Sequence, residues 1–182
     1  HAKNVILATG ALETPRLLLH SGVQGNAIGR YLINHSFLRA HGTADAKVSG
    51  NVKILIPSRP WRPYQIQLYQ NTKNVNLVAF GRVQPRFENQ LQLDTRTLDD
   101  YGIPQIRIDF SYSEQDRRVM SQMQDAVHRI FTIMDPERYV RKNRKVTIEW
   151  QEPGSDYHES GTCRIGTDPA TSAANPYGQI HS

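Results

Sequence analysis

Hydrophobic and polar positions follow a different pattern at the start of the chain than in its middle. Residues 4–8 form a short, continuously apolar run, typical of a strand buried on both faces in a parallel sheet. The residues after it predict a helix with Thr14 as its N-cap, Pro15 as its first helical residue and Gly22 just past its end. A strand followed by a helix is half of a nucleotide-binding layout. From the spacing alone, however, an ordinary αβ unit is the better interpretation.

From residue 37 onward apolar residues alternate with polar ones, in short runs separated by Pro, Gly and Asn. Regular alternation indicates antiparallel strands with one face toward water. The predicted strands are residues 38–44, 52–56, 64–69, 75–83, 90–94 and 105–110. The middle of the chain is therefore predicted to be a β-sheet distinct from the opening αβ unit.

An amphipathic helix is predicted after these strands. Residues Ser113 to Asp116 fit a variant of the capping box, and Asp135 with Pro136 fits the end of the helix. Between them, apolar side chains recur with helical spacing at Val119, Met120, Met123, Val127, Ile130, Phe131 and Met134. Residues 145–150 form a further predicted strand. The predicted fold class is α+β, an antiparallel sheet with a packed amphipathic helix.

Composition narrows the classes of function. The chain has 182 residues, 38% hydrophobic and 21% charged, which is typical of a globular domain with a substantial core. No run of about 18 apolar residues occurs, so no transmembrane segment is predicted. The net charge of +5 is dispersed. Its densest basic cluster, residues 138–145, is interpreted as a solvated link between a helix and a strand, so no nucleic-acid partner is predicted.

The cysteine and histidine residues indicate neither a disulfide nor a metal site. Cys163 is the single cysteine, so the chain has no internal disulfide, and no zinc-ligand spacing occurs. No metal site is predicted. The compartment, cytoplasm or periplasm, is left open.

One stretch combines a titratable base with an accessible backbone. In residues 157–164, the imidazole of His158 can take a proton near neutral pH. Gly161 has no Cβ to hold a ligand away, and Ser160 and Thr162 add hydroxyl groups. By itself the stretch is weak evidence, because a histidine in a polar loop is more often a surface residue than a catalyst.

Segments at both ends of the chain resemble one family of flavoenzymes. Residues 10–23 look like the second signature of the glucose-methanol-choline (GMC) oxidoreductases, which oxidise alcohols and sugars. The pattern departs at Gln24, where the family has Gly. Residues 158–166 resemble the family's active-site histidine segment, and residues 175–181 resemble the stretch that follows it. Paired signatures are far more specific than either one alone.

The middle of the chain extends this resemblance. Residues 100–104 and 113–118 are similar to the family's substrate domain, most of all in the pyranose-oxidase-like and bacterial sugar dehydrogenase branches. The resemblance implies a fragment of an FAD-binding domain in residues 1–35, a substrate-binding domain in residues 36–150, and an active-site loop with a return to the FAD-binding domain in residues 151–182. The predicted α+β sheet is thus flanked by incomplete pieces of an α/β FAD-binding domain.

Two parts of the family pattern do not occur in these residues. The GxGxxG dinucleotide fingerprint is missing, as is the family's final segment with its second catalytic His or Asn. The sequence is therefore expected to be a piece of a longer protein or a remnant that cannot hold flavin alone. The isolated segment is expected to be inactive.

The resemblance also implies a chemistry. An alcohol C–H is transferred as hydride to N5 of FAD while a base takes the hydroxyl proton, and His158 is the expected base or hydrogen-bond partner of that hydroxyl. The residues expected to lie near the cofactor are Thr9, Gly10, Ala11, Gly161 and Thr162. His35 is interpreted as a turn histidine rather than a pocket residue. Cys163 is interpreted as a packing residue rather than a nucleophile.

Three hypotheses follow. The leading one is an FAD-dependent oxidoreductase acting on CH–OH groups of a sugar or other polyol. The second is a non-catalytic binding or structural module that has lost flavin. The third is one part of a multi-subunit dehydrogenase with a haem or quinone partner. The electron acceptor (oxygen, quinone or cytochrome) and homo-oligomerisation are left open.

Overall fold

The chain divides into two compact units that each use separated stretches of sequence. The computed structural model describes residues 2–43, 50–134 and 146–181. Unit 1 comprises His1–Asn34, Pro85–Ser111 and His158–Ser182, and unit 2 comprises His35–Gln84 and Tyr112–Tyr157. The predicted domains 1–35, 36–150 and 151–182 stay a prediction. The units differ from them in placing residues 85–111 with the two ends of the chain.

The described residues form two helices and nine strands. In chain order these are α1 (Gly10–His20), β1 (Arg30–Ile33), β2 (Ser36–Thr43), β3 (Val52–Ile56), β4 (Tyr64–Gln70), β5 (Asn74–Gly81), β6 (Gln90–Leu98), β7 (Pro104–Asp109), α2 (Glu114–Met134), β8 (Thr147–Trp150) and β9 (Ser160–Thr162).

Unit 1 contains a four-stranded antiparallel sheet in the order β7-β6-β1-β9. Gly29, just before β1, joins its two neighbours. The N–H of Gly29 donates to the carbonyl of Thr162 (2.7 Å), and the carbonyl of Gly29 accepts from the N–H of Leu91 (2.7 Å). A Cβ at position 29 would lie 2.5 Å from the Leu91 carbonyl oxygen. Only glycine therefore fits where these strands meet.

The predicted strand over residues 4–8 is wrong. These residues form no strand, and Val5 and Ile6 expose 76% and 90% of their surface. A strand is held by hydrogen bonds to neighbouring strands, and none of the strands in the described residues pairs with this segment. An apolar run without a pairing partner does not form a strand.

Helix α1 begins earlier than predicted and ends where predicted. Its first residue is Gly10 with Thr9 as N-cap, so Pro15 lies inside the helix and the predicted start at Thr14 and Pro15 is wrong. The end at Gly22 is confirmed. The N–H of Gly22 (φ +72°) bonds to the Leu19 carbonyl, and the next N–H bonds to the Leu18 carbonyl. This pair of bonds is the Schellman motif, in which glycine adopts the left-handed conformation without a Cβ penalty.

Unit 2 is a five-stranded antiparallel sheet covered on one face by α2. The strand order is β3-β4-β5-β2-β8. Buried and exposed residues alternate along β2, β4 and β5, which confirms the predicted half-buried strands. The inward side chains form one cluster with the apolar stripe of α2: Leu38, Ala40, Tyr64, Ile66, Leu68, Val75, Leu77, Ala79, Val119, Met123, Val127 and Phe131.

The start of α2 confirms the predicted capping box. The N–H of Asp116 donates to the Ser113 hydroxyl (3.1 Å), and the N–H of Ser113 donates to the Asp116 carboxylate (2.7 Å). The same buried carboxylate accepts the N–H of Gln84 (2.9 Å). The cap thus also holds the chain that follows β5. The predicted helix end at residues 135–136 and the basic link at residues 138–145 lie outside the described residues, as do residue 44 of the predicted strand 38–44 and residue 145 of the predicted strand 145–150.

The α+β class is confirmed, with one correction to the sheet. The strands predicted at residues 90–94 and 105–110 form as β6 and β7, but they pair with each other, and β6 pairs with β1, in the sheet of unit 1 and not in the sheet of the middle segment. Alternation fixes which face of a strand is buried and leaves its partner undefined. The short strands β1 and β9 were not predicted. Neither helix in the described ranges is long and apolar enough to span a bilayer.

Candidate functional site

The histidine segment leads into the edge strand of the unit 1 sheet. His158 is exposed and lies two residues before β9. β9 pairs antiparallel with β1, with Thr162 opposite Arg30 and Ser160 opposite Ile33. The register shifts between these two pairs. His158 therefore lies beside a short, irregular strand, in contrast to the continuous ladders of unit 2.

Gly161 is required by a close backbone approach. Its φ is +88°, and a Cβ at this position would lie 2.1 Å from the carbonyl oxygen of Tyr31 on β1. Tyr31 itself has φ +59°. The guanidinium of Arg164 lies 3.9 Å from the centre of the Tyr31 ring. The stacking of Arg164 on Tyr31 and the close backbone approach at Gly161 thus hold residues 161–164 against β1.

Thr162 has an unusual backbone conformation. Its φ is +62°, which is a genuine outlier for a β-branched residue. The N–H of Cys163 bonds to the carbonyl of Gly161 (2.7 Å), so Thr162 is the central residue of a γ-turn with positive φ, the rarer and more strained kind. Thr162 is fully buried. A strained residue persists only where its surroundings over-determine it, and such residues cluster at functional sites.

The N-terminus of α1 supplies the second group of predicted residues. Thr9 and Gly10 are exposed, and Gly10 has φ +87° with no atom within 4 Å of the position of a Cβ. Open space beside a glycine lets another molecule approach the backbone. The first N–H groups of a helix have no partners within it and carry partial positive charge, so they favour anionic groups.

One hydrogen bond joins the two predicted groups. The hydroxyl of Thr162 donates to the carbonyl of Ala11 (2.6 Å), across 151 positions of sequence, and also lies 2.7 Å from the carbonyl oxygen of Gly161. The structure therefore brings Ala11 and Thr162 together within unit 1. Gly161 lies in the same place because it belongs to the same turn as Thr162. Thr9 and Gly10 lie there because they are at the start of the same helix as Ala11.

A second tie of α1 was missed by sequence reasoning. Arg16 donates to the Asp99 carboxylate (2.7 Å) and to the carbonyl of Pro104 (2.9 Å), both on the β6–β7 hairpin. Asp99 also accepts the N–H groups of Tyr101 and Ile103. These bonds, the one from Ile103 foremost, lower the pKa of the Asp99 carboxyl, and Asp99 raises the pKa of Arg16. No local signal pairs residues this far apart in sequence.

The other two residues considered in the sequence, Cys163 and His35, have surroundings typical of residues with a structural role. Burial raises the pKa of the Cys163 thiol to about 11, so it stays protonated at neutral pH, as expected for a packing residue. In unit 2, His35 Nε2 lies 3.9 Å from the Asp156 carboxylate, and the His35 ring meets Phe80 edge-on at 5.5 Å. The Tyr112 hydroxyl donates to the His35 carbonyl (3.4 Å). Burial, with Asp156 adding to it, raises the Tyr112 pKa to about 12.

Comparison with known proteins identifies the class. Residues 85–182, more than half of the chain, match the sequence model of the family described as GMC oxidoreductase. The chain therefore belongs to the GMC oxidoreductase family, and the predicted resemblance is confirmed. Members of this family are in general FAD-dependent.

Individual relatives are oxidases by name. The chain is 23% identical to pyranose 2-oxidase of Tricholoma matsutake, covering all of this chain and 40% of the relative. It is 24% identical to C-glycoside 3-oxidase of Arthrobacter globiformis, covering 98% of this chain and 39% of the relative. It is 33% identical to paromamine 6'-oxidase of Streptomyces fradiae over 54% of this chain and 17% of the relative. The chain thus spans 40% or less of the length of these relatives.

Proposed function

We propose that the protein is an FAD-dependent oxidoreductase that oxidises a CH–OH group of a sugar or other polyol, with His158 as the base. Membership of the GMC family and the names of the relatives support the reaction class and the substrate class. The observation that carries the proposal is the hydrogen bond between Thr162 and Ala11. It links the turn after His158 to the N-terminus of α1, the two segments that the family resemblance assigns to one site.

The role of His158 follows from its chemistry. A neutral imidazole accepts a proton near pH 7. When it takes the proton of the substrate hydroxyl, electron density on the oxygen rises and the C–H bond on the same carbon weakens toward hydride loss. The alcohol becomes a carbonyl compound, having lost one proton and one hydride. The exposed position of His158 gives a small molecule access to the ring.

The residues around the turn fit a flavin. Bound FAD supplies the acceptor for the hydride and its two electrons. Thr9, Gly10 and Ala11 would hold the cofactor through backbone at the positive end of α1, where Gly10 has open space beside it. Gly161 and Thr162 would contribute backbone beside the ring. In this proposal residues 1–35 and 151–182 belong to the FAD-binding domain and residues 36–150 to the substrate-binding domain.

The test uses the full-length protein, purified with its flavin. Under anaerobic conditions, pyranose sugars and C-glycosides are added in turn, and the visible flavin absorbance is followed. We expect bleaching with at least one sugar, because hydride transfer reduces the flavin. Bound flavin that no polyol bleaches would overturn the catalytic proposal, and purification without flavin would favour a non-catalytic module.

A further inference from the structure

We infer that Thr162 is a positioning residue, whose buried hydroxyl ties the turn after His158 to the first turn of α1. This inference rests on the proposed function for its consequence in catalysis, and on the structure alone for the tie itself. The family resemblance placed Thr162 beside a cofactor. Its side chain instead is turned into the protein, with none of its surface exposed.

The acceptor of this bond is available because of Pro15. In an α-helix the N–H of residue i bonds to the carbonyl of residue i−4. The residue four positions after Ala11 is Pro15, which has no N–H, so the Ala11 carbonyl lacks its helical donor. A carbonyl without a donor is unfavourable in a partly buried place. The Thr162 hydroxyl, 2.6 Å away, replaces the missing donor.

The backbone conformation of Thr162 indicates that its hydrogen bonds offset strain. A threonine at φ +62° in a γ-turn is strained, and the strain must be balanced by contacts made in that conformation. Two such contacts are the Gly29 N–H to the Thr162 carbonyl (2.7 Å) and the Thr162 hydroxyl to the Ala11 carbonyl. The first holds the turn on the sheet. The second holds it on the helix, so the hydroxyl fixes the base-bearing segment relative to the residues proposed to hold flavin.

Two matched pairs isolate the hydroxyl. Wild type and Thr162→Val have nearly the same shape and the same β-branching, and differ by the hydroxyl. Thr162→Ser and Thr162→Ala both lack the branch and differ mainly in the hydroxyl. Thr171→Val makes the same change at an exposed threonine of unit 1 and serves as the control. If Thr162→Val does not fold, the Ser and Ala pair decides the question.

The first measurement is amide hydrogen exchange of the full-length holoprotein, read in peptides covering residues 9–16 and 157–164. Losing a buried hydrogen bond is expected to speed exchange in both peptides by roughly 5- to 100-fold in Val relative to wild type and in Ala relative to Ser. Thr171→Val should leave both peptides unchanged. Equal exchange within each pair would overturn the inference, whether or not the protein oxidises any sugar.

The second measurement separates positioning from a general structural role. With a sugar that bleaches the flavin, the hydroxyl-free member of each pair should reduce its flavin about 10- to 100-fold more slowly at saturating sugar, because the base is displaced. Flavin content and half-saturating sugar should change by less than about twofold. Unchanged reduction despite faster exchange would overturn the positioning role. Absence of bleaching in wild type would refute the proposed function. The exchange result would then still decide whether the Thr162 hydroxyl holds the turn on α1.

Discussion

Unit 1 and unit 2 both contain an antiparallel sheet, but they hold their strands in different ways. In unit 2, β2 and β5 pair through eight consecutive residues, from Ser36 opposite Gly81 to Thr43 opposite Asn74. In unit 1, β1 and β9 pair at two positions with a shift in register, and each contains a non-glycine residue with positive φ. Regular ladders need only alternating side chains, whereas β1 and β9 of unit 1 need specific backbone contacts.

This difference indicates which of the two units carries the functional site. The core of unit 2 is made of buried apolar side chains, and the alternating patterns of β2, β4 and β5 agree with its fold. Unit 1 departs from local preference at Tyr31 and Thr162, and such departures are expected at functional sites. The predicted base and all the predicted cofactor residues belong to unit 1. Substitutions in unit 1 should therefore affect chemistry or specific contacts, and substitutions in unit 2 should affect stability through its core.

The largest expected effect is on chemistry. His158→Ala should slow flavin reduction by roughly 100- to 10,000-fold, the usual contribution of a positioned acid or base. His20→Ala, at an exposed histidine of α1, is the control and should reduce at the wild-type rate. Because His158 is exposed, its removal should change the free energy of unfolding by less than about 0.5 kcal/mol. Stopped-flow reduction and urea unfolding test both parts, and an unchanged single-turnover rate would refute the role as base.

Unit 2 should show the opposite behaviour. Phe131 of α2 is fully buried in the core cluster, so Phe131→Ala should lower the free energy of unfolding by about 3–5 kcal/mol. Ile133, two residues on, is 76% exposed. Ile133→Ala should change stability by about 0.5 kcal/mol or less. Urea denaturation of the two variants decides the matter, and equal losses would mean that α2 does not form the core of this unit.

The contrast also explains what the sequence could predict. The Ser113 and Asp116 cap, the Gly22 helix end and the strands of unit 2 were predictable because their causes lie within a few residues. The start of α1 was not. Pro15 suits a first helical position, but it lies inside the helix, where the Ala11 carbonyl that it leaves without a donor accepts from the Thr162 hydroxyl, 151 positions from Ala11. The sheet of β6 and β7 and the tie from Arg16 to Asp99 depend on equally distant partners. His158 and Gly161 were found through family resemblance, and their roles stay predictions.

The next largest expected effect is the loss of stability when Gly161 is replaced. Gly161→Ala would combine the left-handed penalty of about 1–2 kcal/mol with a clash between its Cβ and the Tyr31 carbonyl oxygen, 2.1 Å apart. The expected loss of unfolding free energy is roughly 2–4 kcal/mol. Gly178 has φ +79° and open space around it, so Gly178→Ala should lose only the penalty for its conformation. If urea unfolding gives the same loss for both, β1 and β9 are not in the contact described.

The smallest expected effect is a pH dependence of unit 1. Hydrogen bonds from the Ile103 and Tyr101 N–H groups and from Arg16 hold the pKa of Asp99 below its ordinary value of 3.8. A carboxyl with a lowered folded pKa stabilises the folded state above pH 3.8, and this contribution is lost as the pH falls through the folded pKa. Asp99→Asn should therefore lower stability at neutral pH and narrow its difference from wild type in acid. Asp100→Asn removes the same charge from an exposed neighbour and should follow wild type across the range. Thermal unfolding of the three proteins between neutral pH and pH 3 tests this, and a constant gap between Asp99→Asn and wild type would show that the carboxylate does not stabilise the hairpin through its charge.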